Sequence, residues 1–437
     1  MNKTVGILTL GCKVNQYESE AIGEALEELG FTVCSPSEVC DAYVINTCTV
    51  TAESDRKARQ FIRRALTKNP NAFVAVTGCL SQTNAPDVCA IPGVDYVCGN
   101  RNKMSVVSAL LDLCRQGYKN ETTTADVPAL EDAGFEDMSI NRFGRTRAYI
   151  KIEDGCESHC TYCIIPKARG SIRSKPLAAV LDEVRCLTQN GCREVVLTGI
   201  ETASWGRDLG EATLADLLEA VDQIPDIGRV RLGSLDPTLM RPAFVERIAK
   251  LPSLAPHFHL SMQSGSDSVL ARMKRKYNST QALAAIERLR AAMPGVQLTT
   301  DIIVGFPGET EEDFAATMDF ARRARFLMIH VFPYSKRAGT PAASMPDQIP
   351  NAVKKQRVAA LSALATDIRG ELLDELIGKK QPVSVLFETF EDGMAIGHTP
   401  DFIEMRVPSD RPLHAQTRLV LPIDKTEDLS GCIGQLI

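Results

Sequence analysis

The chain has 437 residues, well beyond the roughly 100 to 200 of a single domain, so two or three domains with substantial cores are expected. Hydrophobic residues at 44% and charged ones at 24% give a soluble globular balance, which excludes a disordered or low-complexity chain. The net charge of -6 argues against a protein that coats nucleic acid indiscriminately, while leaving room for local basic faces.

The first apolar run, Val5 to Leu10, is too short for a signal peptide and lacks a small-residue cleavage site. No apolar segment approaches the roughly 18 residues that span a bilayer. A cytoplasmic protein with no membrane partner is therefore expected. Over residues 1–115 one pattern repeats: an apolar strand, a Cys at its end, then an amphipathic helix. Val5 to Leu10 runs into Gly11-Cys12, Tyr43 to Asn46 into Thr47-Cys48, and Phe73 to Val76 into Thr77-Gly78-Cys79. Ala21, Ile22, Ala25, Leu26 and Leu29 recur at helical spacing between the first two, and Ala58, Phe61, Ile62, Ala65 and Leu66 between the next two. Strands alternating with helices imply a parallel α/β sheet.

Residues 116–141 are polar and partly acidic, with Asn120-Glu121-Thr122 and Glu131-Asp132, and read as a linker. Over 142–371, six strand candidates alternate with helical segments: Ala148 to Ile152, Glu194 to Leu197, Arg229 to Leu232, His257 to Ser261, Gln297 to Val304 and Met328 to Phe332. This predicts a partial (β/α)6 barrel with its active site at the carboxyl ends of the strands. A helix over Ala352 to Leu376 then leads into residues 372–437. There the short segments Pro382 to Phe387, Met394 to Gly397, Ile403 to Val407 and Thr417 to Leu421 predict a small antiparallel β-barrel.

Fourteen cysteines in a reducing compartment read first as metal ligands, not as disulfides. Cys34, Cys40, Cys89, Cys98, Cys114, Cys186, Cys192 and Cys432 lack ligand spacing and are expected to be buried hydrophobes. Cys156, Cys160 and Cys163 follow the first barrel strand with three and then two residues between them. A structural zinc would want four ligands in paired units, and ferredoxin runs have other spacings and a fourth cysteine nearby. Three thiolates on a 4Fe-4S cluster leave one iron open to chelate the amino and carboxylate groups of S-adenosylmethionine; zinc and ferredoxin-like sites are the alternatives. Cys12, Cys48 and Cys79 each end a parallel strand and converge, on this reading, at the carboxyl edge of one sheet, where they would hold a second 4Fe-4S cluster. The alternative is three unrelated buried cysteines.

The sequence resembles the methylthiotransferase family of radical S-adenosylmethionine enzymes over nearly its whole length. The matching stretches are Leu10-Gly11-Cys12-Lys13-Val14-Asn15-Gln16, Asn46-Thr47-Cys48-Thr49-Val50, Gly78-Cys79, Asp154-Gly155-Cys156 through Gly170, Gln263-Ser264-Gly265-Ser266-Asp267 and Asp301 through Thr310. The tail, with Gly397-His398-Thr399-Pro400-Asp401-Phe402, is similar to the family's RNA-binding TRAM domain. The phrases around Cys12 and Gln263 are closest to the branch that modifies N6-threonylcarbamoyladenosine beside the tRNA anticodon. Two positions depart from common patterns: Thr198-Gly199-Ile200-Glu201 replaces a double glycine before Glu, and Trp205 stands where many relatives have Tyr.

The resemblance implies that one S-adenosylmethionine methylates a sulfur on the Cys12, Cys48 and Cys79 cluster. A second is cleaved at the Cys156, Cys160 and Cys163 cluster to a 5′-deoxyadenosyl radical. It also implies tRNA as partner, a flavodoxin- or ferredoxin-like electron donor and a sulfur donor. Tyr162, Gly199, Ser234, Gln263 and Gly305, at strand ends or in the cluster loop, are the candidate cofactor contacts. Expected RNA contacts are Arg56, Lys57, Arg59, Arg63, Arg64 and Lys68, then Arg272, Lys274, Arg275 and Lys276, and above all Lys167, Arg169, Arg173 and Lys175 after the cluster loop. Arg337 and Arg406 are candidates to meet the substrate carboxylate. The competing readings are methylthiolation of isopentenyladenosine or of a ribosomal-protein aspartate and, in another class, an iron-sulfur RNA-binding or electron-carrying protein.

Overall fold

The computed structural model describes residues 3–119, 122–131, 134–144, 146–210 and 212–437; Asn120, Glu121 and Asp132 of the polar stretch lie outside them. Six strands form the N-terminal sheet: β1 (Lys3–Thr9), β2 (Phe31–Cys34), β3 (Ala42–Thr47), β4 (Phe73–Gly78), β5 (Tyr96–Cys98) and β6 (Thr124–Asp126). All pair parallel, in the order β2-β1-β3-β4-β5-β6. β3 and β4 are buried along their whole length because helices cover both faces. Helix α1 (Lys13–Glu28) brings Ile22 and Leu26 against Val5, Val44 and Ala75 on one face. On the other, α2 (Ala52–Lys68) brings Ala58 and Ile62 against Ile45, Val74 and Val76. α2 starts where the Thr51 hydroxyl accepts from the Ser54 N–H, with Glu53 and Asp55 in its first turn and Lys68 in its last, each charge opposing the helix dipole. β6 falls within the stretch read as linker, and Met138 and Ile140 of that stretch are buried in the barrel core.

The second unit is an open, parallel barrel. β7 (Arg147–Lys151) is followed by a small antiparallel pair, β8 (Glu153–Asp154) with β9 (Arg173–Ser174), which brackets the cysteine loop. Then come β10 (Glu194–Thr198), β11 (Arg229–Leu232), β12 (Ser234–Leu235), β13 (His257–Gln263), β14 (Gln297–Val304) and β15 (Met328–Pro333). β11 pairs with β10 and β12 with β13, so a single strand interrupted at Gly233 joins two sheets into one wall, β7-β10-β11/β12-β13-β14-β15. Three outer helices open on reciprocal caps, Thr213 with Asp216, Asn278 with Gln281 and Thr310 with Asp313, each satisfying backbone N–H groups of the first turn.

A helix over Asn351–Gly378 runs from the barrel to the last unit, burying Leu361 in the barrel core and Ile368, Leu372, Leu373 and Leu376 in the next. There β16 (Val383–Glu391), β17 (Met394–His398), β18 (Glu404–Pro408), β19 (Thr417–Lys425) and β20 (Gly431–Leu436) close in the order β16-β17-β18-β20-β19. Every pair is antiparallel except β18 with β20. A ring of five strands cannot alternate direction all the way round, so one parallel pair is unavoidable. Among the described residues, no helix is long and apolar enough to cross a membrane. Cys40, Cys98, Cys114, Cys192 and Cys432 are buried as expected, whereas Cys34, Cys89 and Cys186 are only half-buried.

Candidate active site: two cysteine triplets above a polar lumen

The order of the N-terminal sheet reverses between β1 and β3. Loops leaving such a point diverge and open a crevice at the carboxyl ends of the strands. Cys12 follows β1 and Cys48 follows β3, so the two stand on either side of that crevice, with Cys79 next along after β4. Two glycines let the segments meet. Gly11 has φ +106°, and a Cβ on it would lie 2.7 Å from Cys48 Cβ; Gly78 has φ +101°, and its Cβ would lie 2.4 Å from the Thr47 carbonyl oxygen. Asn15 then staples the strand ends, its Nδ2 donating to the Leu10 oxygen at 2.7 Å and the Thr47 oxygen at 2.9 Å. The Thr47 hydroxyl donates to the Thr77 oxygen at 2.6 Å and accepts from Leu80 N–H at 3.2 Å. The sulfurs feel one another: burial first, then Cys79 and Cys12, push the Cys48 thiol up to about 11. Cys12 is the exposed member of this triplet, yet crowding by the surrounding protein raises its thiol against the pull of Arg169.

The second triplet sits in the loop between β8 and β9. Cys156 N–H donates to the Gly170 oxygen at 2.9 Å, and Cys163 N–H to the Cys160 oxygen at 3.1 Å, which curls the loop so that all three thiols remain half-buried. Donors reach two of the sulfurs: Ser158 N–H is 3.4 Å from Cys156 Sγ and Arg275 Nη1 is 3.3 Å from Cys160 Sγ. Cys156 Sγ in turn donates to Glu201 Oε2 at 3.1 Å, and burial followed by that carboxylate raises its pKa; burial and then Cys160 push Cys163 up to about 11. Arg275 is itself fixed by Asp236 at 2.8 Å.

Each triplet thus offers three soft donors with N–H groups or a guanidinium turned toward them, a set that fits a thiolate-ligated iron-sulfur cluster. Arg169 joins the two. It is fully buried and donates through Nη2 to Asn15 Oδ1 at 2.6 Å and through Nη1 to Glu18 Oε1 and Asp154 Oδ1, both at 2.9 Å. Glu18, on α1, also takes Lys103 and Lys151. Burial alone would raise the Glu18 carboxyl, but Arg169, Lys103 and Lys151 hold it well below the usual range.

Below the triplets, alternate residues of the barrel strands line a polar lumen. Glu194 gathers Arg231 at 3.0 Å, Arg147 at 3.2 Å and Arg229 at 3.7 Å, and despite burial the three guanidinium groups hold it down to about 2. Phe402, from the last unit, forms the floor: its ring stacks on His257 at 4.7 Å and His398 at 4.8 Å, with the Arg231 guanidinium 4.8 Å from its centroid. The Thr299 hydroxyl lies 3.1 Å from His257 Nε2 and 3.0 Å from His259 Nδ1. His259 Nε2 is 3.1 Å from Asp301 Oδ2, and a ligand atom of His330 lies within 4.8 Å of both.

The structure puts several predicted residues elsewhere. Arg169 and Arg173 are not phosphate contacts, because both are buried against Asp154; nor is Lys175, which is held by Glu183 and the Met138 oxygen. Only Lys167 of that group is exposed, donating to the Gly339 oxygen at 2.7 Å. Arg272 and Arg275 are likewise spoken for, by Asp313 and Asp236. Arg337 pairs with Asp55 at 2.8 Å, and Arg406 with Glu404 at 2.8 Å, so neither offers a free cation to a substrate carboxylate. On α2, Arg56 pairs with Glu53 and Arg59 with Asp87, while Arg63 and Arg64 remain exposed. Gly199 directly follows β10, Ser234 opens β12 and does not end it, and Gln263 ends β13 in the left-handed region at φ 65°. Gly305 gives its N–H to Glu309, and Tyr162 packs on the group containing Val269, Met273 and Phe306. Sequence reasoning passed over Lys13, Glu18, Arg231 and the His259, Asp301 and His330 group. For the strand residues Arg231, His259, Asp301 and His330 the signal was polar residues at every second position of buried strands, as in Arg147, Tyr149 and Lys151; Lys13 and Glu18, on α1, carry no such signal.

Residues 4–99 match the family described as Uncharacterized protein family UPF0004, and residues 150–321 the Radical SAM superfamily. The threonylcarbamoyladenosine tRNA methylthiotransferase MtaB of Bacillus subtilis (strain 168) is 39% identical over 407 residues, covering 92% of this chain and 90% of that protein. The chain belongs to the radical S-adenosylmethionine methylthiotransferase family. Another member is the tRNA-2-methylthio-N(6)-dimethylallyladenosine synthase of Aquifex aeolicus (strain VF5), which is 35% identical over 404 residues and 91% of both chains. Among solved structures, the radical S-adenosylmethionine methyltransferase TsrM from Kitasatospora setae aligns with a TM-score of 0.59 at 17% identity, covering 78% of this chain and 74% of that one. At that identity the likeness shows the fold of this chain alone.

Proposed function

We propose that the chain adds a methylthio group to carbon 2 of N6-threonylcarbamoyladenosine next to the anticodon of tRNA, using two 4Fe-4S clusters and S-adenosylmethionine. The observation that carries this reading is the pair of cysteine triplets, each at the carboxyl edge of its own parallel sheet and tied together through Arg169 and Asn15. The choice of substrate follows the names of the relatives in Bacillus subtilis and Thermotoga maritima, each 39% identical. Functionally we divide the chain into residues 1–115 for the auxiliary cluster, 116–141 as a connection, 142–371 for the radical chemistry and 372–437 for RNA.

When bound, the clusters and cofactor supply the sulfur, the methyl group and the hydrogen-abstracting radical. The protein's tasks are to bind, orient and exclude. Cys156, Cys160 and Cys163 would hold one cluster, with Arg275 donating to Cys160 and Glu201 beside Cys156. Cys12, Cys48 and Cys79 would hold the other, with the Arg169 guanidinium among the charges they feel. Gly199, Ser234, Gln263, Gly305 and Tyr162 are the proposed cofactor contacts. Because the Arg169 network ties both cysteine segments to one buried frame, folding and not substrate would set how far apart two clusters held there lie. Electrons would come from an external flavodoxin- or ferredoxin-like protein, and replacement sulfur from a separate donor.

The test is anaerobic reconstitution with iron, sulfide and S-adenosylmethionine, followed by mass spectrometry of tRNA nucleosides. The expected product is the 2-methylthio derivative of N6-threonylcarbamoyladenosine. Product only from tRNA bearing an isopentenyl or dimethylallyl adenosine would overturn the substrate assignment.

A further inference from the structure

Lys13 is the residue after Cys12, and its side chain leaves the N-terminal unit for the barrel lumen. Its ammonium lies 5.9 Å from the Tyr149 ring centroid, and the charges that act on it are Arg231 and Arg147, then Glu194 and Asp301. These belong to β11, β7, β10 and β14, so Lys13 sits between opposite walls of the open barrel. Among the described residues it has no hydrogen-bond or ion-pair partner, although it remains open to solvent. The charge that most affects it, Arg231, is only 2% exposed; two of its nitrogens bind Glu194, while the buried Nη1 has no acceptor.

Lys13, Arg147, Arg229 and Arg231 share the lumen with Glu194, Glu388 and Asp301, and Asp401 of the last unit also acts on Arg231. The buried Nη1–H of Arg231 lacks an acceptor that a bound anion would supply, and Lys13, hydrated in the open lumen, adds a second positive charge that such an anion would meet. We propose that Lys13 and Arg231 form a carboxylate-binding subsite that takes the carboxylate of the N6-threonylcarbamoyl group of the target adenosine. This rests on the substrate reading given above. Asp301 repels a carboxylate, so the hydroxyl and urea-like N–H groups of the same substituent face Asp301 and His259 instead. Carbon 2 and carbon 6 flank N1 on one ring, so a base that presents carbon 2 to the triplets directs its N6 substituent to one side of them, into the lumen. Lys13 adjoins Cys12 in the chain, and the same turn therefore fixes both the sulfur-bearing site and the substrate's far end.

The experiment uses the full chain, reconstituted anaerobically, with three anticodon stem-loops bearing N6-threonylcarbamoyladenosine, its methyl ester, or isopentenyladenosine. Wild type should methylthiolate the free acid on the order of ten- to hundredfold faster in kcat/KM than the ester, the range for a hydrogen bond to a charged group. Lys13→Met should slow the acid by a similar factor, leave the ester nearly unchanged and so abolish the preference, and Lys13→Arg should restore part of it. Equal turnover of acid and ester by wild type would overturn the subsite while leaving the substrate reading intact. Equal loss on acid and ester in Lys13→Met, or an effect confined to the KM for S-adenosylmethionine, would also overturn it. Turnover of the isopentenyl stem-loop alone would overturn the substrate reading, and the subsite with it.

Discussion

Glu18→Gln tests whether one buried carboxylate holds the N-terminal unit to the barrel. Glu18 is fully buried; Arg169 Nη1 lies 2.9 Å and Lys151 3.1 Å from Oε1, and Oε2 is in contact with Lys103. With the charge gone, Asp154 is left to balance Arg169 and Lys151 in the dark interior, and Lys103 keeps only the Asn46 oxygen at 3.1 Å. Removing one partner from a buried ion pair costs about 3–5 kcal/mol, since the cations left behind lose their compensation without regaining water. For a unit this size the melting temperature should drop on the order of 10 °C. Differential scanning calorimetry of the anaerobic protein would measure it, reported transition by transition because a chain of several domains is not two-state. The sign of the pH dependence follows from the depressed carboxyl of Glu18. Its contribution is present above the ordinary value of 4.5 and disappears as pH falls through the lower folded-state value, so the wild type should lose stability on acidification more steeply than Glu18→Gln. A variant within about 0.5 kcal/mol of wild type, the spread of ordinary surface changes, would refute the reasoning.

Other substitutions separate the parts. Ala at Cys156, Cys160 and Cys163 together should abolish cleavage of S-adenosylmethionine yet leave one cluster bound, as read by iron and sulfide analysis with Mössbauer spectra; loss of all iron would contradict two independent sites. Gly11→Ala, which needs a left-handed φ and places a Cβ 2.7 Å from Cys48 Cβ, should lower iron to the content of the other cluster alone, with the signal of the Cys156 loop retained. Phe402→Ala should free the last unit from the barrel, each lost stacking or cation–π contact being worth roughly 1 kcal/mol, and limited proteolysis near residue 378 should accelerate. Removal of the residues after Ile377 should weaken tRNA binding, and binding by the intact chain should fall as salt rises; unchanged affinity of a folded truncation would rule out RNA contact by that unit.

The strands that carry chemistry were legible because each is an apolar run ending in a Cys or a Gly, and β3, β4, β10, β11 and β14 lie within one or two residues of expectation. The short strands β2, β5 and β6 were not, since three or four residues carry no period. The six cysteines could be grouped by spacing and by their common place after strands. The basic residues could not be sorted by the same means. Arg63 at the surface and Arg169 in a fully buried network look alike in sequence, because what separates them is a carboxylate more than a hundred residues away. The polar lumen was hidden for a related reason: alternation within β7 and β13 resembles a strand with one wet face, and only closure of the wall turns that face inward.

Phe402 gives the lumen the character of a cul-de-sac. With its ring wedged between His257 and His398 and backed by Arg231 and Arg147, the end of the barrel away from the cysteines is stopped by a residue from a different unit of the chain. Entry from that end would first have to displace Phe402 from the two histidines stacked on it. The last unit is thereby a stopper as well as an arm, and a chain that lost it would acquire a second door.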